Sequence, residues 1–385
     1  MAADTLNVQP FATGLDHPRW VHVLPNGDVL IAESNKQPRP PQGIRDIVAQ
    51  KIMGIAGAGV PSANRITLLR DGDGDGVAEL RSVFLDDLTS PFGMALIGSD
   101  FYVATTDALL RFPYETGTTR IDLPGEHIVA LPANAPNMHW TKGLIAGADG
   151  QLFVSVGSNS DHGEAGMDAE RNRAAIWIVD PAEKSARIYA SGLRNPVGLD
   201  FEPTTGELWT VVNERDELGD DLVPDYLTSV RPGGFYGWPY VYYGDRLDPR
   251  VTGSAPDMVA QSLTPDYALG AHVAPLGLTF SDGARLGPAF AKGAFIGQHG
   301  SWNRRPASGY SVVYVPFESG RPNGRPIEIL SNFRTADGKA RGRPVGVAIA
   351  KDGALLVADD VGNTIWRVTI RDRSKPSLSL DTTNR

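Results

Sequence analysis

Arg194 and Asn195 lie in the segment Gly192–Phe201 (GLRNPVGLDF), and Arg341 and Arg343 lie in Ala340–Ile349 (ARGRPVGVAI). Both pairs stand immediately before apolar runs of the same kind. If those runs are equivalent, two places in the chain aim guanidinium groups at one axis. Like charges that converge repel one another unless an anion lies between them. Arginine is suited to such a role, because its planar fork grips carboxylates and phosphates bidentately. The other reading is that these arginines pair with Asp and Glu and tie neighbouring units together. His139, in Asn137–Gly143 (NMHWTKG), holds the corresponding place before a third run. An imidazole there could be a general base, its pKa being close to working pH; a structural histidine is the alternative.

Two acidic stretches carry a different chemistry. Asn213–Tyr226 (NERDELGDDLVPDY) holds Glu214, Asp216, Glu217, Asp220, Asp221 and Asp225. Hard oxygen ligands at that density suit Ca²⁺, and a solvated acidic loop is the alternative. Arg70–Leu80 (RDGDGDGVAEL) places Asp71, Asp73, Asp75 and Gly76 as in the first half of a calcium loop. Ser82 stands twelfth, where a bidentate Glu belongs, so an intact EF-hand is not expected. A partial Ca²⁺ site and a plain run of Asp-Gly turns both remain.

The elements that position these residues repeat along the chain. An apolar strand with a Pro or Gly corner, a turn and a second apolar strand recur six times, with corners at Trp20, Gly93, Gly143, Gly198, Gly277 and Gly346. A repeated small all-β unit is the signature of a β-propeller, and six copies predict six blades. The expected fold is therefore all-β, one propeller domain over 1–385, with blades within about 14–370 and a polar tail over 371–385. Asn26-Gly27, Asp149-Gly150, Thr205-Gly206 and Asp352-Gly353 sit between apolar runs as hairpin turns should. Insertions are expected at 35–65, with a short helix near Ile44–Met53, and at 213–245 and 298–310. Such insertions lie on a face of the ring, where function is built. Trp238, Tyr240, Tyr242 and Tyr243 crowd into the second of them, as a packed cap or a cleft wall.

Composition narrows the function. The chain has 385 residues, formal charge −9 and no basic stripe, which argues against nucleic acid as a partner. Cysteine is absent, which excludes disulfide scaffolds, zinc–thiolate sites and thiol nucleophiles. No run of 18 apolar residues is present to span a membrane. The opening MAADTLNVQPFATGL has neither a basic nor an apolar signal region. It reads either as the start of a cytosolic chain or as the new start left once an export signal is removed; the Ala-Ala-Asp beginning favours the second, hence a periplasmic or secreted protein.

These motifs resemble the soluble pyrroloquinoline quinone (PQQ) dehydrogenases of glucose, aldose sugars and sorbosone. The match runs from Gly14 to about Val368. It is most specific in GLRNPVGLDF, NERDELGDDLVPDY, GGFYGWPYVYYG, GQHGSWNRRPASGY and GRPVGVAIAKDGALLVADD, which together look most like the sorbosone branch. The resemblance implies a six-bladed propeller with PQQ and Ca²⁺ as cofactors. It implies that His139 is the catalytic base, that Arg194 and Asn195 contact the quinone, and that Arg341 and Arg343 hold PQQ carboxylates. Glu214 falls where the glucose branch has a Gln beside the cofactor. Arg215 and Asp216 fall where that branch offers two backbone carbonyls to Ca²⁺, and Asp220, Asp221 and Tyr236 fall near a second, structural Ca²⁺. This chain departs by having Arg215-Asp216 for Gly-Pro and Met138 for an Asp before the base. The family's cofactor-binding Lys lacks a clear counterpart; Arg304 or Asn303 could take its place. Trp238, Tyr240, Tyr242, Tyr243 and Trp302 could shape a sugar pocket. The implied partners are a sugar, alcohol or aldehyde-hydrate substrate and an electron acceptor such as a quinone, a cytochrome or a dye.

Two other functions compete. A Ca²⁺-dependent lactonase on a six-bladed propeller would gather an axial metal from Glu33, Asn213 and Asp359 or Asp360, and it needs no arginine cluster. A non-catalytic binding scaffold would show a bare channel and an exposed apolar patch.

Overall fold

The computed structural model describes residues 3–38, 60–251 and 255–371. Six antiparallel sheets of four main strands follow one another around an axis. From the axis outward, blade I is Pro18–Val23, Val29–Glu33, Arg65–Arg70 and Leu80–Leu85; blade II is Met94–Ile97, Asp100–Ala104, Ala108–Pro113 and Glu126–Ala130. Blade III is Leu144–Ala146, Leu152–Val156, Ala175–Asp180 and Ser185–Ser191; blade IV is Asn195–Phe201, Leu208–Asn213, Pro224–Ser229 and Tyr267–Ala271. Blade V is Pro275–Phe280, Gly293–Gln298, Ser311–Glu318 and Ile327–Leu330. Blade VI takes Pro344–Ile349, Leu355–Asp359 and Thr364–Ile370 from the end of the chain and its outer strand, Leu6–Thr13, from the beginning.

The six-bladed propeller expected from the repeats is thus the fold. Its ring closes where Leu6 pairs with Ile370 and Thr13 with Thr364, a strand that lies before the expected start of the blades. The stretch 213–245 is also less of an insertion than expected, since it contains the third strand of blade IV, Pro224–Ser229. The helix expected near Ile44–Met53 and the tail beyond Arg371 lie outside the described residues.

Second strands such as Val29–Glu33 and Leu152–Val156 are buried along their whole length. They are apolar on both faces because each blade is covered on both sides by its neighbours. The hydrophobic side chains accordingly gather into six clusters, one per seam. The corner glycines let inner strands touch. A Cβ on Gly143 would overlap the Val197 carbonyl, and one on Gly277 the Val345 carbonyl, each in the next blade. Blade I has Trp20 at that corner, and its ring instead packs on Phe92 of blade II at 4.7 Å.

The register sets where function can lie. Pro18 pairs with Glu33, Asn195 with Asn213, Pro275 with Gln298 and Pro344 with Asp359. Every inner strand therefore starts beside the end of its second strand, and residues flanking both points share one face of the ring. The Asp71–Glu79 turn lies at the opposite face, because Arg70 pairs with Leu80 at the far end of blade I.

Candidate active site

His139 stands on that shared face, ahead of the inner strand of blade III. Its Nδ1 lies 2.7 Å from the Ser158 carbonyl and 3.0 Å from Ser158 Oγ. Ser158 Oγ gives its own proton to the Ser160 carbonyl at 2.6 Å. Both neighbours are then acceptors, so Nδ1 carries the proton and Nε2 keeps a lone pair. Nε2 has no hydrogen-bond partner among the described residues. Burial, with Arg194 and Lys36 adding to it, holds the imidazole well below its ordinary pKa, against the pull of the Ser158 carbonyl. Neutral imidazole with a free Nε2 is the form a general base needs.

Asn195 faces His139 across Gly157, where a Cβ would overlap both the Asn195 Oδ1 and the His139 Cβ. Asn195 is buried, Oδ1 has no partner, and its amide makes no hydrogen bond among the described residues.

Arg194, by contrast, is fully committed. Nη2 donates to Asp161 at 2.6 Å, Nε to the Asp161 carbonyl at 3.0 Å, and Nη1 to the Glu214 carbonyl at 2.7 Å. Asp161, which sequence reasoning missed, also accepts the Asp216 amide at 2.9 Å, while its carbonyl accepts the Trp238 indole at 3.0 Å. The same loops carry buried acids. Burial pushes Glu214 up to about 8 against the opposing pull of Arg194. Burial pushes Asp225 up to about 7, though it accepts the amides of Glu214 and Ala274. Burial would raise Asp216 too, but His272, Arg194 and Asn303 hold it below its usual value. His272, also missed, donates from Nδ1 to Asp216 (3.1 Å) and from Nε2 to the Gly219 carbonyl (2.9 Å). Its hydrogen bond to Asp216 raises it to about 9, so it is an imidazolium.

A second cluster lies where blades VI, I and V meet. Asp360 Oδ2 accepts Arg19 Nη1 at 2.5 Å and His299 Nε2 at 2.8 Å, with His17 Nε2 at 3.4 Å. Against the effect of burial, these groups hold Asp360 far below the usual carboxylate range. Burial, with Arg343 next, lowers His299 to about 3. Arg343 donates to the carbonyls of His299 (2.9 Å) and Gly300 (2.6 Å) and stacks 5.2 Å from the Tyr310 ring.

Other expected residues stand elsewhere. Arg341 is exposed, its Nε donating to the Asn332 carbonyl, so the structure does not bring it to Arg343's site. Arg304 donates to the Asp220 carbonyl (2.7 Å) and to Asp221 (3.0 Å), both exposed, on the site's face. The Tyr236 hydroxyl donates to the Ser229 carbonyl, at the far end of its strand from Asp220 and Asp221. Arg215 is buried, with Nε 3.0 Å from Asp248 and Nη2 3.8 Å from Asp161.

The lactonase set does not assemble. Glu33 accepts Arg65 and Thr67, the Asn213 amide donates to the Pro275 carbonyl, Asp359 accepts the Gly362 amide and the Trp366 indole, and Asp360 is caged. Among the described residues, the one acidic group with metal-ligand spacing is Asp71, Asp73, Asp75 and Glu79, on the opposite face. Glu79, rather than Ser82, completes it, closing onto the Gly72 amide at 2.8 Å.

The site's loose ends fit a quinone cofactor with a cation beside it. They are the unpaired Asn195 amide, the free His139 Nε2, and the backbone carbonyls of Arg215 and Asp216, which accept no hydrogen bond among the described residues. The Asp216 side chain is already paired with the His272 imidazolium, so it is the carbonyls, not that carboxylate, that suit Ca²⁺.

The TrAA12-like family profile matches residues 1–225 and 249–371, and the chain belongs to that family. It is 22% identical over 382 residues to a pyrroloquinoline quinone-dependent sugar dehydrogenase of Hypocrea jecorina, covering 88% of this chain and 79% of that protein. It is 32% identical over 241 residues to an uncharacterised Borreliella burgdorferi protein, which covers 62% of this chain and spans 62% of that protein's length. The solved structure of Trichoderma reesei Family AA12 superposes with TM-score 0.77 at 21% identity, over 96% of this chain and 97% of that one. The holo PQQ domain of Coprinopsis cinerea pyranose dehydrogenase gives TM-score 0.77 at 20% identity, over 96% of each chain. At such identities the structural likeness establishes the fold. The resemblance read from the sequence stands at the level of the family.

Proposed function

We propose that this protein is a PQQ- and Ca²⁺-dependent dehydrogenase of a sugar hemiacetal, alcohol or aldehyde hydrate, of the aldose or sorbosone type. The observation that carries the reading is His139, a neutral imidazole whose Nε2 is free beside an unpaired asparagine amide. When bound, PQQ supplies the two-electron acceptor and Ca²⁺ the Lewis acidity that polarises it. His139 Nε2 takes the proton of the substrate hydroxyl as the carbon gives up its hydride. Asn195 offers its amide to the quinone, and the carbonyls of Arg215 and Asp216 hold the cation. Arg343 and Arg194 supply positive charge on either side, Arg194 through an orientation fixed by Asp161. Glu214, whose carboxyl burial pushes up against the opposing pull of Arg194, stands where the glucose branch of the resembling family has a glutamine.

The reaction needs an electron acceptor, a quinone, a cytochrome or a dye, and the reading puts the protein in the periplasm or outside the cell. No described helix is long and apolar enough to cross a membrane. The test is reconstitution of the apo-protein with PQQ and Ca²⁺, followed by dye reduction with a panel of aldoses, sorbosone and simple alcohols. Sugar-dependent dye reduction that requires PQQ supports the reading; a protein that takes up no PQQ overturns it.

A further inference from the structure

His139 stands on one loop of blade III, and its Nδ1 proton is held by another. The first loop leads into the inner strand Leu144–Ala146; the second, residues 157–174, joins Leu152–Val156 to Ala175–Asp180. The second loop locks the first. Asn159 Oδ1 accepts the Asn137 amide at 2.7 Å, and Arg173 Nη2 donates to Asn137 Oδ1 at 3.0 Å and to Asn134 Oδ1 at 3.2 Å.

Glu170, on the second loop, is only 4% exposed. Its Oε2 accepts the Asn159 amide at 2.6 Å, and its Oε1 accepts the Ser160 hydroxyl. Burial pushes the Glu170 carboxyl up, while the Ser160 hydroxyl, the Asn159 amide and the Arg173 guanidinium pull it down. The Asn159 N–H and the Ser158 C=O belong to one peptide group, which is trans, so the two point to opposite sides. That Ser158 carbonyl is the one that accepts the His139 Nδ1 proton at 2.7 Å. Glu170, a single peptide and the imidazole thus form one line of hydrogen bonds. A carboxylate at the N–H end draws the peptide's electrons toward its oxygen and makes that oxygen a better acceptor, because hydrogen bonds in series polarise one another, most of all where water is excluded.

We propose that Glu170 is a positioning residue for the base: its carboxylate, acting through the Ser158–Asn159 peptide, fixes His139 as the Nδ1–H tautomer and makes Nε2 the stronger base. No proton travels along the line; the peptide transmits polarisation alone. A brace is the alternative, in which Glu170 holds Asn159, and through it Asn137, without any influence on the ring. The inference rests on the dehydrogenase reading for what Nε2 does, and its test separates the two.

Glu170→Gln keeps the shape and can still accept the Asn159 amide, but it removes the charge. In the cofactor-free protein the His139 ring nitrogens and the Nδ1 proton are followed by NMR, assigned by the signals that His139→Ala loses. With PQQ and Ca²⁺ loaded, kcat and KM are measured for the best-oxidised sugar of the panel. Wild type should show the Nδ1–H tautomer. Glu170→Gln should move the Nδ1 proton upfield and take up PQQ as wild type does. Its kcat should fall by about 10- to 100-fold with KM little changed, the scale on which partners that orient a working histidine act. An Nε2–H tautomer in wild type overturns the relay without recourse to any variant. A Glu170→Gln protein with wild-type kcat overturns it as well, and so does one whose kcat falls while the Nδ1 proton stays in place, which is the mark of a brace. A protein that oxidises no sugar, yet shows the upfield shift in Glu170→Gln, overturns the dehydrogenase and keeps the relay.

Discussion

The two charged clusters of the loop face are built from similar residues and reach opposite states. Around His139, in blades III and IV, the polar groups are left with work to do: Nε2 of His139 and the whole Asn195 amide have no partner among the described residues. Around Asp360, between blades V, VI and I, one carboxylate oxygen takes Arg19 and two histidines. Arg343 gives two of its nitrogens to backbone carbonyls. Buried polar atoms without partners are destabilising until something fills them, and both clusters contain some: Asn195 Oδ1 in the first, Asp360 Oδ1 and Arg19 Nε in the second. The difference is that the second also binds its remaining charges to one another and to loop carbonyls. The two histidines thus differ in which nitrogen is occupied: Nδ1 in His139, Nε2 in His299.

The comparison breaks most sharply at His139. His139→Ala should lower sugar-dependent dye reduction by about 10²- to 10⁴-fold, the usual contribution of a positioned base, with PQQ uptake retained. Retained turnover would mean that another group takes the proton. Because the environment lowers the His139 pKa, the base stays unprotonated as the pH falls through the ordinary histidine range near 6.5. The acid limb of the kcat/KM profile should therefore lie below that value; a limb at 6.5 or above would mean that the imidazole titrates as if in water.

Asp360→Asn strikes the other cluster and should reverse the pattern. Removing one partner of a buried ion pair leaves the Arg19 charge uncompensated, at a cost on the order of 3–5 kcal/mol. The midpoint of urea unfolding should fall accordingly, while the intrinsic rate in molecules that remain folded and loaded stays far above that of His139→Ala. A variant as stable as wild type would show that Arg19 is satisfied by its faces on Trp140 and Phe92, 5.6 and 6.0 Å away.

Much of this arrangement is written locally. The corner positions recur, and each sits at the start of an inner strand, so His139, Arg194, Asn195 and Arg343 could be placed on one face from spacing alone. The closing strand Leu6–Thr13 could not, because its partner Thr364–Ile370 lies at the other end of the chain and Pro10 interrupts its pattern. Asp161, His272 and the cage around Asp360 were hidden for the same reason: their roles come from partners in other blades. A signal for some of them was nevertheless present. In blade after blade the residues just past the second strand reach the site's face: Lys36 after Glu33, Asp161 after Val156, Glu214 after Asn213, His299 after Gln298 and Asp360 after Asp359. The symmetry that located the inner-strand corners would have located these as well. Arg341 and Arg343, two residues apart, are placed differently: Arg343 is buried and Arg341 is exposed.

That last pair gives the finest test, because both residues carry the same charge on the same segment. Arg343→Met withdraws a cation from the site; the two charge-assisted hydrogen bonds it also loses, to the His299 and Gly300 carbonyls, each of a kind worth about 1.5–3 kcal/mol, bear on folding stability rather than on cofactor affinity. PQQ affinity should drop by roughly 10- to 100-fold on the scale where 1.4 kcal/mol is tenfold. Arg341→Ala removes an exposed guanidinium whose Nε meets the Asn332 carbonyl, and surface changes of that sort usually stay within about 0.5 kcal/mol. Titration of each variant with PQQ, read by its absorbance, should separate the two. If Arg341→Ala weakened uptake as much as Arg343→Met, long-range charge rather than contact would govern cofactor binding. The effect of Arg341→Ala would then fall steeply as salt is added, since an exposed charge is screened over a Debye length of about 8 Å at physiological ionic strength.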